Sequence, residues 1–136
     1  MLPEKIHLEI VTPERRVLER DVDEVVLPGT EGSFGVLPGH APMLAGLQAG
    51  VAVCRGGGEE EVMAISSGYA EIQASRVIVI AETCEKSGEI DVARAEVKVK
   101  EIEKAVGDST PETDPEVLRL RMMKHIARIR AGRKMI

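Results

Sequence analysis

The strongest constraint on this chain is a change of hydrophobic period near Cys84. Before it, Ile6, Leu8 and Ile10 alternate with His7 and Glu9, and Val77 to Ile80 form a compact apolar run, the pattern of short strands. Turn residues recur at Thr12-Pro13, Pro28-Gly29, Glu31-Gly32, Pro38-Gly39, Gly50, Gly56 to Gly58, Gly68 and Ser75. Short strands at that spacing predict a β-sandwich or barrel. After Cys84, the residues Val92, Ala95, Val99, Ile102 and Val106 recur at helical spacing and form one apolar stripe.

Punctuation supports two helices in the second part. Asp91 is placed to cap the first and Gly107 to stop it, and the polar stretch 107–114 turns the chain. Asp114 and Pro115 then supply a cap and a first-turn proline for a second helix with the stripe Leu118, Met122, Ile126 and Ile129. The expected organisation is a β domain over residues 1–86 and an antiparallel helical hairpin over 87–136. Both stripes are narrow and built from small or flexible side chains, so the hairpin needs the β domain or a partner to hold it, and it is a candidate for movement.

Charge is unevenly distributed. The chain carries a net −5, yet residues 115–136 hold Arg119, Arg121, Lys124, Arg128, Arg130, Arg133 and Lys134 against Glu116 alone. A basic tail on an acidic body fits an acidic protein surface. Nucleic acid is a poor fit, because Phe34 and Tyr69 are the only aromatic residues and stacking platforms are missing. Residues 34–54 carry no Asp, Glu, Lys or Arg, but Pro38, Pro42 and four glycines break the run, which reads as a loop and a buried strand instead of a membrane span. Cys54 and Cys84 form no CxxC or zinc pattern, which fits a reducing compartment, and residues 1–11 show no apolar export signal.

No catalytic or metal-binding pattern stands out. The sequence has no GxxxxGK[ST], HExxH or GxSxG, and Gly56 to Gly58 run into Glu59, Glu60 and Glu61, which would repel phosphate. His40 lies in a proline-flanked turn, where an imidazole either braces the turn or carries a proton; bracing is the simpler expectation. His7 faces outward on a strand and acquires no role. Asp91 and Arg94 lie in one helical turn, near Glu85 in sequence, and could form a local ion pair or offer opposite charges to a ligand.

The stretch 25–50, VVLPGTEGSFGVLPGHAPMLAGLQAG, closely resembles the segment that marks the N-terminal domain of bacterial ATP synthase epsilon subunits. Residues 11–15 (VTPER), 65–72 (ISSGYAEI) and 77–82 (VIVIAE) agree with it. The resemblance extends through the order of sandwich and helices. It implies a ten-stranded sandwich, a place on the central stalk between the gamma subunit and the c-ring, and no bond chemistry. It also implies attachment to the cytoplasmic face of a bacterial inner membrane through the complex alone.

In that family the hairpin can extend toward the alpha and beta subunits and resist ATP hydrolysis. The resemblance thus makes Arg119, Arg121, Lys124, Arg128 and Arg130 candidate contacts to an acidic beta-subunit surface. It makes Glu31, Gly32, Ser33 and His40 candidate contacts to the c-ring or gamma, with Ser33 standing where many relatives carry an acid. Some relatives bind ATP as a regulatory ligand through Ile/Leu-Asp-x-x-Arg-Ala, matched here by Ile90, Asp91, Arg94 and Ala95, with Glu85, Lys124 and Arg128 alongside. Glu101 departs from that pattern, with an acid where those relatives have a basic residue. No cofactor is implied as a requirement, and no metal.

Overall fold

The computed structural model describes residues 2–106 and 114–136. Among these lie ten strands, a single 3-10 turn at Ser87–Glu89 and two helices. The strands are β1 (Ile6–Val11), β2 (Arg16–Val22), β3 (Glu24–Gly29), β4 (Gly32–Val36), β5 (Met43–Leu47), β6 (Gly50–Gly56), β7 (Glu59–Ile65), β8 (Gly68–Ile72), β9 (Arg76–Ala81) and β10 (Cys84–Lys86). The helices are α1 (Val92–Ala105) and α2 (Pro115–Gly132).

The strands pair in the order β10-β7-β6-β3-β5-β8-β9-β1-β2, with β4 paired to β3, and the sheet folds over to enclose one core. Every pairing is antiparallel except β1 with β9. Ile6, Leu8 and Ile10 of β1 point inward, as their alternation predicts, together with Leu27, Val36, Met63, Ile65, Ile72, Val77 and Val79. Gly57 and Gly58 take φ of 62° and 78° in the β6–β7 hairpin, the left-handed pair that a tight two-residue turn requires.

The apolar run through β6 is explained by covering on both faces. Ala52 and Cys54 join the sandwich core, whereas Val51 and Val53 join Val62, Ala64 and Ala131 in a second cluster, beneath α2. Ala131 allows α2 to approach closely. Gly132 extends the contact, because a Cβ there would lie 2.4 Å from Val92 Cγ2 and 3.4 Å from Ile90 Cγ2.

Both helix starts follow the sequence. The Asp91 side chain accepts from the Arg94 amide, and the Asp114 side chain accepts from the amides of Glu116 and Val117, with Pro115 in the first turn. Two stripe positions differ. Val106 is 64% exposed as α1 ends at Ala105, and Ile126 is 43% exposed, the buried positions of α2 being Leu118, Ala127 and Ala131. The face of α2 is set by what fits against β6 and β7, where alanine permits an approach that the larger isoleucine does not. The expected stop at Gly107 and the turn through residue 113 lie outside the described residues.

Candidate functional site

Charged side chains converge where α1, α2 and β10 meet. Arg128 donates from Nε to Glu85 Oε1 at 2.8 Å and from Nη2 to Glu85 Oε2 at 3.3 Å, a two-pronged ion pair that fastens α2 to β10. Only 15% of the Arg128 side chain is exposed. His125 lies one turn earlier, its Nδ1 3.4 Å from Arg128 Nη1. Partial burial, followed by the cations of Arg128, Lys124, Arg121 and Lys98, holds its pKa below the ordinary imidazole value.

Of the expected ligand set, Glu85 and Arg128 are in contact. Glu85, Lys124 and Arg128 lie on β10 and α2, and Ile90, Asp91, Arg94 and Ala95 lie at the start of α1. Ala95 is fully buried and Ile90 packs against the β6–β7 cluster, so these two position the helix start. Asp91 does not pair with the Arg94 guanidinium. Its Oδ1 accepts from the Arg94 backbone amide at 3.0 Å, which leaves the exposed guanidinium without an ion pair among the described residues. Glu101, the departure from the relatives' pattern, pairs with Lys98 at 3.5 Å.

Lys124 also borders a cleft of about 470 Å³ between α2 and the sandwich turns, lined by Arg119 and Arg121 on one side and by Gln48, Ser66, Ser67 and Glu82 on the other. Arg119 is drawn back along its own helix by two bonds to Glu116, which hold the Glu116 carboxyl below the usual range. Arg130 borders a smaller recess with Val26, Ser33 and Ile136. The basic residues therefore face several directions and do not make a single patch.

Glu31, Gly32 and Ser33 do not form one loop with His40. The first three lie at the β3–β4 turn, where Gly32 has a φ of 127°, and β4 separates them from the loop at residues 37–42. His40 donates from Nδ1 to the Ala41 carbonyl at 2.7 Å, a contact that braces the turn. The adjacent Gly39 amide bonds to the Ala74 carbonyl and ties the loop to the β8–β9 connection.

Sequence spacing did not single out a further surface. Leu44 of β5, Tyr69 of β8 and Ile80 of β9 are 71%, 49% and 40% exposed, and Tyr69 lies beside both Gly46 and Ile80 in the ladder. Apart from Glu71, which pairs with Leu44, this stretch of the outer sheet face is apolar, and among the described residues it is uncovered, whereas the β6–β7 face lies under α2.

The family model for the ATP synthase delta/epsilon chain β-sandwich domain matches residues 5–87. The ATP synthase epsilon chain of Trichlorobacter lovleyi is 46% identical over 111 residues, which cover 82% of this chain and 80% of that protein. That of Syntrophobacter fumaroxidans is 39% identical over 133 residues, covering 98% of this chain and 99% of the relative, helices included. Among solved structures, a chain of the Euglena gracilis mitochondrial ATP synthase, in an assembly of OSCP, F1 and c-ring, aligns with a TM-score of 0.84 at 19% identity, covering 93% of this chain and 81% of that one. A chain of the Tetrahymena thermophila central stalk and c-ring aligns with a TM-score of 0.58 at 13% identity over 98% of each. These two likenesses concern the fold. With the sandwich matched as a domain and one relative matched over 98% of the chain at 39% identity, this chain belongs to the ATP synthase epsilon-chain family.

Proposed function

We propose that the chain is a non-catalytic rotor subunit of a proton-translocating ATP synthase, joining the gamma subunit to the c-ring in the central stalk and restraining ATP hydrolysis through its helices. It would reach the membrane surface only through the complex; no helix among the described residues is long and apolar enough to cross a membrane. One observation carries this reading. The sandwich closes its own core, while the hairpin rests on it mainly through α2, against β6 and β7, and buries few side chains: Ala95 and Ile102 of α1, and Leu118, Ala127 and Ala131 of α2. A self-contained body with a thinly attached arm is suited to coupling through the one and braking through the other.

The uncovered face at Leu44, Tyr69 and Ile80 is the proposed gamma-binding surface, since a partner there would remove apolar side chains from water. Hydrolysis by the ATPase complex, rebuilt with the full chain or with a version ending at Lys86, tests the assignment. Faster hydrolysis with the shortened chain still bound identifies the helices as the brake. Equal rates would remove that role and leave a structural rotor part.

A second reading, ATP as a regulatory ligand on the folded hairpin, is favoured by the exposed guanidinium of Arg94, which has no ion pair among the described residues. Titration of the isolated chain with ATP, with Arg94→Ala as the control, tests it. Equal binding by both would place any nucleotide elsewhere.

A further inference from the structure

On the outer face of β1 and β2, far in the sheet order from the strands under α2, strand pairing sets His7 opposite Asp21 and Glu9 opposite Glu19. Ligand atoms of His7, Glu9 and Glu19 all lie within 4.8 Å of one another. Two carboxylates directly opposite each other repel, so this ladder position needs a cation. In the structure two arginines supply it as long ion pairs: Arg16 Nε and Arg76 Nη2 stand 3.7 Å and 3.9 Å from Glu9, and Arg16 Nη1 3.9 Å from Glu19, beyond ordinary hydrogen-bond length. Yet Glu9 is largely covered, with only 16% of its side chain exposed.

The imidazole is oriented as a metal ligand would be. His7 Nδ1 lies 2.9 Å from Asp21 Oδ1, and since the carboxylate accepts, Nδ1 carries the hydrogen. In the neutral ring Nε2 then keeps its lone pair, and it faces Glu19 Oε2 at 3.5 Å. Histidine ligands are commonly held in this way, with a carboxylate on the nitrogen opposite the metal. One imidazole and two carboxylates form a donor set suited to a borderline divalent ion such as zinc, with a position left for water.

We propose that His7 Nε2, Glu9 and Glu19 bind one divalent transition-metal ion, with Asp21 positioning the imidazole. The ion would replace the loosely paired arginines as the neutralising charge and pin β2 to β1. No catalytic role is attached to it.

Titration of the full chain with Zn2+ in a calorimeter tests the site, with Co2+ as a spectroscopic probe. One equivalent is expected to bind, and His7→Gln or Glu19→Gln is expected to weaken it at least tenfold. Asp21→Asn, which touches no metal, is expected to weaken it roughly 10–100-fold. Arg16→Ala is expected to tighten binding by removing a competing cation. His40→Gln and the double substitution of Cys54 and Cys84 by Ser should leave affinity unchanged, with folding checked by circular dichroism. Binding that survives His7→Gln, or follows the cysteines, would overturn the proposal. So would an Asp21→Asn variant with wild-type affinity.

Discussion

At the scale of single residues, close backbone approach and local charge decide most. Gly68 is the tightest case: a Cβ there would sit 2.0 Å from the Ile80 carbonyl oxygen and 2.8 Å from Ala81 Cα. Those are backbone atoms of the paired strand and cannot swing aside. Gly68→Ala is expected to lower stability by about 3 kcal/mol, read from urea denaturation, as β8 and β9 are forced apart. His125 is governed by charge. Its imidazole sits near Arg128, Lys124 and Arg121 of α2 and Lys98 of α1, while Glu85 of β10 is engaged by Arg128 and Glu101 of α1 by Lys98. The folded form therefore resists protonation, and the opened form binds the extra proton first, near the ordinary value of 6.5. Hairpin stability is full above that pH and falls as pH drops through it. Protection of the α2 amides, taken relative to their intrinsic exchange rate at each pH, is expected to fall between about pH 7 and pH 5, and His125→Gln to show a smaller change.

At the scale of elements, the hairpin is held by a few specific contacts. Arg128→Ala leaves Glu85 part-buried and without its partner, at a cost of about 2 kcal/mol. The loss should appear as faster exchange in α2 with β1 and β9 unchanged. Gly132→Ala acts at the same seam, pressing a methyl group against Val92 and Ile90. The parts of this architecture that depend on neighbours in sequence were legible in it. Period two marked β1, a compact apolar run marked β9, and Asp91, Asp114 and Pro115 marked the helix starts. The buried face of α2 was not, because Ala127 and Ala131 are chosen by the β6–β7 surface against which they pack, and a stripe of larger residues suggested Ile126 instead. Nor was the outer-face cluster. His7 and Glu9 meet Glu19 and Asp21 only through the register of two strands, and no spacing rule encodes that register. Glu31 and His40, close in sequence, are carried to opposite ends of β4, a separation that spacing alone does not reveal.

At the scale of the whole molecule, the question is whether the β domain stands without its arm. Two apolar clusters bear on it. The interior core draws on all ten strands and contains no helical residue, whereas Val51, Val53, Val62 and Ala64 gather under Ala131. Removing the helices therefore leaves the interior intact and uncovers one sheet face. A chain ending at Lys86 keeps β10, whose pairing with β7 covers that edge of the sheet. It is expected to unfold in a single cooperative urea transition, at a lower midpoint than the full chain, and to bind a hydrophobic dye on the uncovered face. Val53→Thr in the shortened chain should reduce dye binding while leaving the transition cooperative. A fragment with no cooperative transition would mean that α2 completes the fold, and an arm that completes the fold cannot detach to act as a brake without unfolding the body that carries it.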